Sequence, residues 1–242
     1  MSESTFSPPN TLFATLPQGP DFVVVGEMHG SRQNAALVRS VAQFLLDNER
    51  KITLAFEWVL SGTELEELQG YVTGGRVPEH LPTFFLHSDG RFTYEHVALL
   101  KWIRACNLQG KKMDIYTFDR NDPPASDKDM ADILLSYKEN HPESVILVET
   151  GNRHARNSSY SFEGVEQVPM ASILKESGTI FSIFCRYKEG SINVDGTSRD
   201  VTNAVSQIEG PGAYFDAVLE VPFSVAAENI RSLTSISGML TI

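Results

Sequence analysis

The stretch Phe22-Val23-Val24-Val25-Gly26-Glu27-Met28-His29 runs from four apolar residues directly into a Gly-x-x-His turn. A second turn of this kind, Gly151-Asn152-Arg153-His154, closely follows another apolar run, Val145 to Val148. Short runs rich in β-branched residues that end at glycine or polar residues predict buried strands. Because the carboxyl ends of parallel strands share one edge of a sheet, where ligands bind, we expect the two histidines to converge.

Strand-like runs alternate with helix-like patterns along most of the chain. Further strands are predicted at Ile52 to Phe56, Met113 to Phe118 and Thr179 to Tyr187. Helical patterns are predicted at 37–45, Gly62 to Tyr71, Tyr94 to Asn107, Met130 to Tyr137 and Pro169 to Ser177. This alternation predicts an α/β protein, a three-layer α/β/α sandwich with a mainly parallel central sheet.

The two ends of the chain differ from this pattern. Residues 1–20 are expected to form an irregular N-terminal segment. Residues 190–242 have a weak helical signal and two strand-like runs, Ser191 to Asp195 and Tyr214 to Val221. We expect these runs to extend the sheet with antiparallel strands. No linker-like composition divides the chain, which predicts a single domain over residues 1–242.

A long segment from Gly74 to Phe92 is rich in glycine and proline and carries the adjacent Phe84 and Phe85. Loops of this length inside a compact domain are often active-site lids. Large apolar side chains on such a loop need a surface to cover. We therefore expect residues 74–92 to form a lid over the strand-end crevice, with Phe84 and Phe85 facing the pocket.

The composition limits the partners of this chain. Its 242 residues are 41% hydrophobic and 21% charged, and 20 basic against 31 acidic residues give a formal net charge of −11. Scattered basic residues in an acidic chain disfavour nucleic acid and anionic membranes as partners, so a small-molecule substrate is expected. The first residues carry an acid and lack an apolar run, and both cysteines, Cys106 and Cys185, resemble buried thiols. These features predict a cytoplasmic protein.

Polar side chains with catalytic potential follow four of the predicted strands. They are Glu27 and His29 after the first strand, Glu57 after the second, Asp119 after the third, and Glu149 and His154 after the fourth. A carboxylate directly after an apolar strand is partly desolvated, which is costly unless a cation or an imidazole shares the space. The remaining histidines lack ligand spacing and are expected to be structural; they are His80, His87, His96 and His141.

Three kinds of chemistry fit this set of residues. In the first, His29, His154 and Glu57 bind a divalent metal, which lowers the pKa of a bound water. In the second, one histidine takes a proton from water, oriented by Glu27 or Glu57, while an arginine stabilises the oxyanion. The candidate arginines are Arg32, Arg104 and Arg153. In the third, the site binds haem through a histidine or tyrosine ligand and performs no hydrolysis.

These motifs resemble those of a known superfamily. Gly-Glu-x-His after the first strand, Phe56-Glu57 at the end of the second and a later Gly-x-x-His are similar to motifs of the erythromycin esterase and ChaN-like superfamily, which includes the TraB and TIKI proteins. Leu100 to Asn107 resembles the Trp-x-Arg-x-x-Asn helix of erythromycin esterases. Gly151 to His154, followed by Gly164-Val165 and Pro169 to Leu174, resembles a ChaN-like run.

The resemblance implies an α/β/α sandwich with a pocket at the strand ends and either hydrolysis or haem binding. It implies functional roles for four residues, Glu27, His29, Glu57 and His154. We therefore predict a hydrolase of an ester, lactone or amide bond, acting with or without a divalent metal. The alternative is a protein that binds haem or a metal without hydrolysis. Supporting roles are expected for Arg32, Arg104, Asp119 and Arg153.

Overall fold

The computed structural model describes residues 15–17, 19–48, 50–80, 82–87, 89–120, 123–194, 197–201, 211–227 and 240. Along the chain the elements are β1 (Phe22–Glu27), α1 (Gln33–Asp47), β2 (Lys51–Phe56), α2 (Gly62–Val72), α3 (Thr83–His87), α4 (Tyr94–Leu108), β3 (Met113–Thr117), α5 (Asp127–Asn140), β4 (Ser144–Gly151), β5 (Tyr160–Phe162), β6 (Val165–Gln167), α6 (Met170–Ser177), β7 (Ile180–Tyr187), β8 (Ser191–Val194), β9 (Thr197–Asp200), a 3₁₀ turn (Pro211–Ala213) and β10 (Ala217–Val221). Most of the predicted irregular segment 1–20 lies outside the described residues, as does much of the predicted extension 190–242.

Six parallel strands form the central sheet, in the order β10-β7-β1-β4-β2-β3. The strands that precede the two Gly-x-x-His turns, β1 and β4, are neighbours in this order. Glu27, the last residue of β1, pairs in register with Gly151, the last residue of β4. The sheet therefore places both turns side by side at its carboxyl edge, as the sequence predicts.

Side chains of β1 alternate between two hydrophobic layers, which makes the fold a three-layer sandwich. Val23 and Val25 pack with the helices on one face, α1, α2 and α4. Phe22 and Val24 pack with α5 and α6 on the other face. All four side chains are almost completely buried, and each contributes about 1.5–3 kcal/mol of hydrophobic free energy. This double burial explains why the run lacks the apolar–polar alternation of a half-exposed strand.

The C-terminal strands pair in two different ways. β8 and β9 form an antiparallel two-stranded sheet of their own. β10 instead joins the edge of the central sheet parallel to β7. The long connection after β7 returns the chain to the amino end of the sheet before β10 begins, which a parallel pair requires. The strands predicted near 191–195 and 214–221 are therefore present, and the antiparallel pairing is confined to the first of them.

The start of α5 is capped by side chains. Ser126 forms a capping box with Asp129. Cys106 and Cys185 are free thiols, and Cys185 is buried. Within the described ranges, no helix combines the length and the apolar character that crossing a bilayer demands.

Candidate active site

The first Gly-x-x-His turn brings Glu27 and His29 into contact. Nδ1 of His29 is hydrogen-bonded to Oε1 of Glu27. The other oxygen of Glu27 accepts from the side-chain amide of Asn34, in the first turn of α1. Tyr187 in turn donates its hydroxyl proton to Oδ1 of Asn34. Because Asn34 and Tyr187 fix the Glu27 carboxylate, that carboxylate fixes the orientation of the imidazole ring.

Glu57 follows β2 and lies against the second turn. Its Oε2 accepts hydrogen bonds from Thr150 Oγ1 at 2.6 Å and from the backbone N–H of Gly151 at 3.0 Å. Its Oε1 lies 3.8 Å from Nε2 of His29 and 3.6 Å from Nη1 of Arg91. One oxygen is thus tied to β4, while the other faces two cationic groups.

His154 has a carboxylate partner of its own. Nδ1 of His154 lies 2.8 Å from Oδ1 of Asp127, the first residue of α5. That oxygen also accepts from the backbone N–H of Met170 at 2.6 Å, which fixes it at the start of α6. The sequence assigned no role to Asp127, because it lies within the capping segment of α5 and no local spacing connects it to His154.

The two imidazole rings converge on Gly151. A Cβ atom at this position would lie 3.4 Å from Nε2 of His29 and 3.7 Å from Cδ2 of His154, the carbon bonded to Nε2. These two ring atoms are therefore less than about 8 Å apart, which is the separation that the shared strand edge predicts. Neither contact is a clash, so the absent side chain leaves a gap that both rings border.

Gly26, unlike Gly151, lacks the space for a side chain. A Cβ atom there would lie 2.6 Å from Cβ of Ala155 and 2.9 Å from Oδ1 of Asn152. The second turn therefore packs directly on the end of β1. This close approach is the physical reason that the first motif begins with glycine.

Arg91 links three carboxylates at the edge of the site and was not predicted. Its guanidinium is bonded to Asp119 through Nη1 and to Asp89 through Nε, the latter at 2.9 Å. Nη1 also donates to the backbone carbonyl of Glu57 at 3.3 Å. Asp119, which the sequence places at the site, thus reaches it only through Arg91. No sequence motif identified Arg91, because it lies in the long segment after α2.

A third histidine–carboxylate pair is buried beside the site. The backbone N–H of Thr93 donates to Nδ1 of His96 at 3.0 Å, so Nε2 carries the ring proton. Nε2 lies 3.1 Å and 3.2 Å from the two oxygens of Glu149 on β4. His96 thus supplies the polar partner of a strand-end carboxylate. The sequence missed this pairing because the partners are far apart along the chain.

The carboxylates hold His29 in its charged form. Burial by itself lowers the pKa of His29, but the nearby carboxylates, Glu27 first, raise it to about 10. Burial raises the pKa of Glu27, and this rise is opposed by His29. Although burial also works to raise the pKa of Glu57, the charges of His29 and His154 hold it below its usual value. His29 is therefore an imidazolium at neutral pH.

Opposing influences set the pKa of His154. Burial lowers its pKa, whereas the hydrogen bond that Nδ1 donates to Asp127 and the charge of Glu57 raise it above the usual value. The positive charge of His29 opposes this rise. The charge of His29 therefore favours the neutral form of His154. The site can thus hold one charged and one neutral imidazole at the same time.

Arg104 lies away from these groups. Its guanidinium donates to the backbone carbonyls of Tyr71, Gly74 and Gly75, the last at 2.9 Å. It therefore satisfies carbonyl groups at the C-terminal end of α2. The expected oxyanion role does not fit this placement, and the Trp-x-Arg-x-x-Asn segment has a structural function here.

The other two candidate arginines are also engaged outside the pair of imidazoles. Nε of Arg32 donates to Glu95 on α4 at 2.5 Å. Arg153 is exposed, and its Cζ lies 4.8 Å from the ring centroid of Phe162 on β5. Among the described residues, the arginine that lies next to Glu57 is Arg91, with Nη1 3.6 Å from Oε1 of Glu57.

The segment Gly74 to Phe92 reaches the carboxyl edge of the sheet through its final residues. The backbone N–H of Gly30, directly after the first motif, donates to the carbonyl of Gly90 at 2.9 Å. Asp89 raises the pKa of His29 through its charge. The segment also contains the short helix α3, which the sequence did not predict. Residues 81 and 88 of the segment lie outside the described part of the chain.

Phe85 does not face a pocket, so the expectation for this residue is wrong. Its side chain is 1% exposed and stacks on Phe92 with ring centroids 3.5 Å apart. Trp58, directly after Glu57, meets Phe85 edge-on at 5.0 Å. Phe85 therefore anchors the segment Gly74 to Phe92 in the hydrophobic core. Phe84 is half-buried, and the guanidinium of Arg91 lies 5.1 Å from its ring centroid.

The residues suggested as metal ligands are His29, His154 and Glu57. In the ranges that the structure describes, no group of three histidine, cysteine, aspartate or glutamate side chains could hold a metal ion. The carboxylate of Glu57 explains this, because Oε2 accepts two hydrogen bonds and Oε1 faces Arg91.

Solved structures of other proteins share this architecture. An erythromycin esterase, the EreC H289N mutant in its open conformation, aligns with a TM-score of 0.66 and 10% identity over 94% of this chain and 95% of that chain. The chain has the erythromycin esterase fold. A protein from Bacillus cereus aligns with a TM-score of 0.62 and 12% identity over 90% of this chain and 91% of that chain. A succinoglycan biosynthesis protein aligns with a TM-score of 0.60 and 12% identity over 87% of this chain and 89% of that chain.

No protein-family model and no curated protein sequence matches this chain. The erythromycin esterase fold is therefore recognised through its three-dimensional arrangement and through the short motifs at the strand ends. The resemblance drawn from those motifs is confirmed at the level of the fold.

Proposed function

We propose that this protein hydrolyses an ester, lactone or amide bond of a small molecule, with His29 and His154 acting as an acid–base pair. The observation that carries this proposal is the convergence of both rings on Gly151, while a separate carboxylate holds Nδ1 of each ring. An imidazole whose Nδ1 is held in this way has its Nε2 available for proton transfer.

The electrostatics assign different roles to the two histidines. His29, with a pKa raised to about 10, is a proton donor at neutral pH. We assign His154 as the general base, because the positive charge of His29 favours its neutral form. Two groups of one chemical type thus take opposite roles because their surroundings separate their pKa values.

The reaction follows from these roles. Nε2 of His154 takes a proton from water as the water oxygen forms a bond to the carbonyl carbon of the substrate. The His29 imidazolium stabilises the negative charge that develops on the substrate oxygen. The bond from the carbonyl carbon to the leaving oxygen or nitrogen then breaks, and Nε2 of His29 protonates the leaving atom. Loss of a proton from His154 and uptake of one by His29 restore the starting state.

Glu57 balances the charge of the site. Its carboxylate lies 3.8 Å from Nε2 of His29 and reaches His154 through its charge. Its hydrogen bonds from Thr150 and Gly151 hold it in place relative to the second turn. Glu57 therefore stabilises the imidazolium state in whichever ring carries the proton.

Replacement of Gly151 by alanine tests whether the gap between the rings is the reaction site. The new methyl group would make ordinary contacts with both rings, so the fold is expected to persist. It would occupy the space of the attacking water or the carbonyl group. We expect kcat/KM to fall about tenfold to a hundredfold on a panel of p-nitrophenyl esters and lactones, with the melting temperature nearly unchanged.

Gly62→Ala is the matched control for this variant. Gly62 begins α2, and a Cβ atom there meets no other atom within 4 Å. The control should retain the activity of the unmodified protein. Equal activity in the two variants would contradict a reaction at Gly151.

Haem binding is the alternative that the superfamily resemblance implies. Glu27, Glu57 and Asp127 surround the two imidazoles, and the anionic propionates of haem would gain nothing beside these carboxylates. Hydrolysis is therefore the better-supported function. A stoichiometric Soret shift on titration with haemin that disappears in His154→Ala, together with no turnover of the panel, would reverse this ranking.

A further inference from the structure

Arg156 lies two residues after His154 in the same turn and is held between two tyrosines. Its side-chain Cζ is 3.7 Å from the ring centroid of Tyr160, at the start of β5, and 5.1 Å from that of Tyr214. The residue is only 8% exposed. This arrangement places a guanidinium in an aromatic slot, two residues along the chain from the proposed general base.

Arg156 has no carboxylate partner in the part of the chain that the structure describes. Its Nε is buried and makes no hydrogen bond there. Three other arginines differ in this respect, since Arg32, Arg91 and Arg120 each contact an acidic side chain. A buried cation without a counter-ion is costly, and cation–π contacts offset only part of that cost.

Arg153 adds a second positive charge to this region. Its guanidinium stacks on Phe162, two residues after Tyr160 on β5, so both arginines lie along one side of this short strand. The charge of Arg153 lowers the pKa of Arg156, as does burial. The chain has a formal net charge of −11, yet neither arginine pairs with a carboxylate among the described residues. Two such arginines in and after the second Gly-x-x-His turn form a local positive field.

We infer that Arg156, assisted by Arg153, binds an anionic group of the substrate, a carboxylate or a phosphate. The substrate would then be an ester, lactone or amide that carries this acidic group beyond the scissile bond. The planar guanidinium suits bidentate recognition of such a group. This inference rests on the proposed function, because it assigns the substrate class for the same site.

The first test measures anion binding without any substrate. Thermal unfolding of the full chain is followed with inorganic phosphate and with succinate, at constant ionic strength. Both anions should raise the melting temperature of the unmodified protein, because they bind the folded state. Arg156→Met should abolish the rise, since methionine keeps an apolar stem against the tyrosines but has no charge.

Arg120→Met is the control for this test. Arg120 is a surface residue that pairs with Asp129 at 3.0 Å, so its loss should leave the response to anions intact. Arg156→Lys should retain part of the response, because it keeps the charge without the planar fork. An equal rise in Arg156→Met, or no rise in the unmodified protein, would overturn the inference.

The second test compares a neutral with an acidic substrate, p-nitrophenyl acetate and the mono-p-nitrophenyl ester of glutaric acid. The unmodified protein should favour the acidic ester in kcat/KM by roughly tenfold or more. Arg156→Met should lose this preference through a higher KM. Hydrolysis of both esters at equal efficiency, dependent on His154, would leave the proposed function standing and overturn the anion site. Anion binding without turnover would support the anion site and count against the proposed function.

Discussion

His154→Asn is expected to lower kcat/KM for ester or lactone hydrolysis by roughly a thousandfold to ten-thousandfold. Asparagine can still meet Asp127 with its side-chain amide, but it cannot take a proton from water. His29→Asn should cause a loss of similar size, because it removes the imidazolium that protonates the leaving group. The measurement is steady-state turnover across the substrate panel, with the fold of each variant checked by circular dichroism.

His80→Asn is the control for both histidine variants. His80 is an exposed residue, and its substitution should leave turnover unchanged. Because each ring is essential to the proposed reaction, the double variant should be no slower than the worse single variant. Retention of activity in either single variant would remove that histidine from the mechanism.

Glu57→Gln is expected to lower kcat by about a hundredfold to a thousandfold while leaving the fold intact. A glutamine oxygen can still accept from Thr150 and Gly151, so the link to β4 persists. The change deletes the charge that faces His29 and Arg91, which lowers the pKa of His29 and weakens the imidazolium state. The pH dependence of kcat should therefore shift on its alkaline side to lower pH.

Loss of the fold in Glu57→Gln would identify a structural ion pair instead. The partner would then be Arg91, which lies 3.6 Å from Oε1 of Glu57. Arg104 does not take that part, because it binds backbone carbonyls at the end of α2. Asp119→Asn separates a structural ion pair from a catalytic role of Glu57, because it weakens the binding of Arg91 by Asp119 and leaves Glu57 itself unchanged.

The sequence predicts those features of the site that depend on strand ends. The run Phe22 to Val25 is apolar at every position because both faces of β1 are buried, so the strand and its polar end can be recognised. Parallel topology then places Glu27, His29, Glu57 and His154 at one edge of the sheet. Neither step requires knowledge of which helix packs where.

Partners that come from other elements could not be predicted in this way. Asp127 lies at the start of α5, Arg91 in the long segment before α4, and His96 on α4. Each of them meets the site only after the helices have packed on the sheet. Local periodicity carries no signal for such long-range pairs. The burial of Phe85 was missed for the same reason, since its contacts are with Trp58 and Phe92.

The pKa values of the two histidines test the acid–base pair most directly, because they require no substrate. Imidazole signals of the full chain can be followed by NMR from pH 5 to pH 10.5 and assigned with His29→Asn and His154→Asn. We expect His29 to remain charged at pH 8 and to titrate near 10, and His154 to lose its proton at a lower pH. Glu27→Gln should bring the titration of His29 back towards neutral pH. Two histidines that both titrate near the ordinary value of about 6.5, with or without Glu27, would contradict the division of roles.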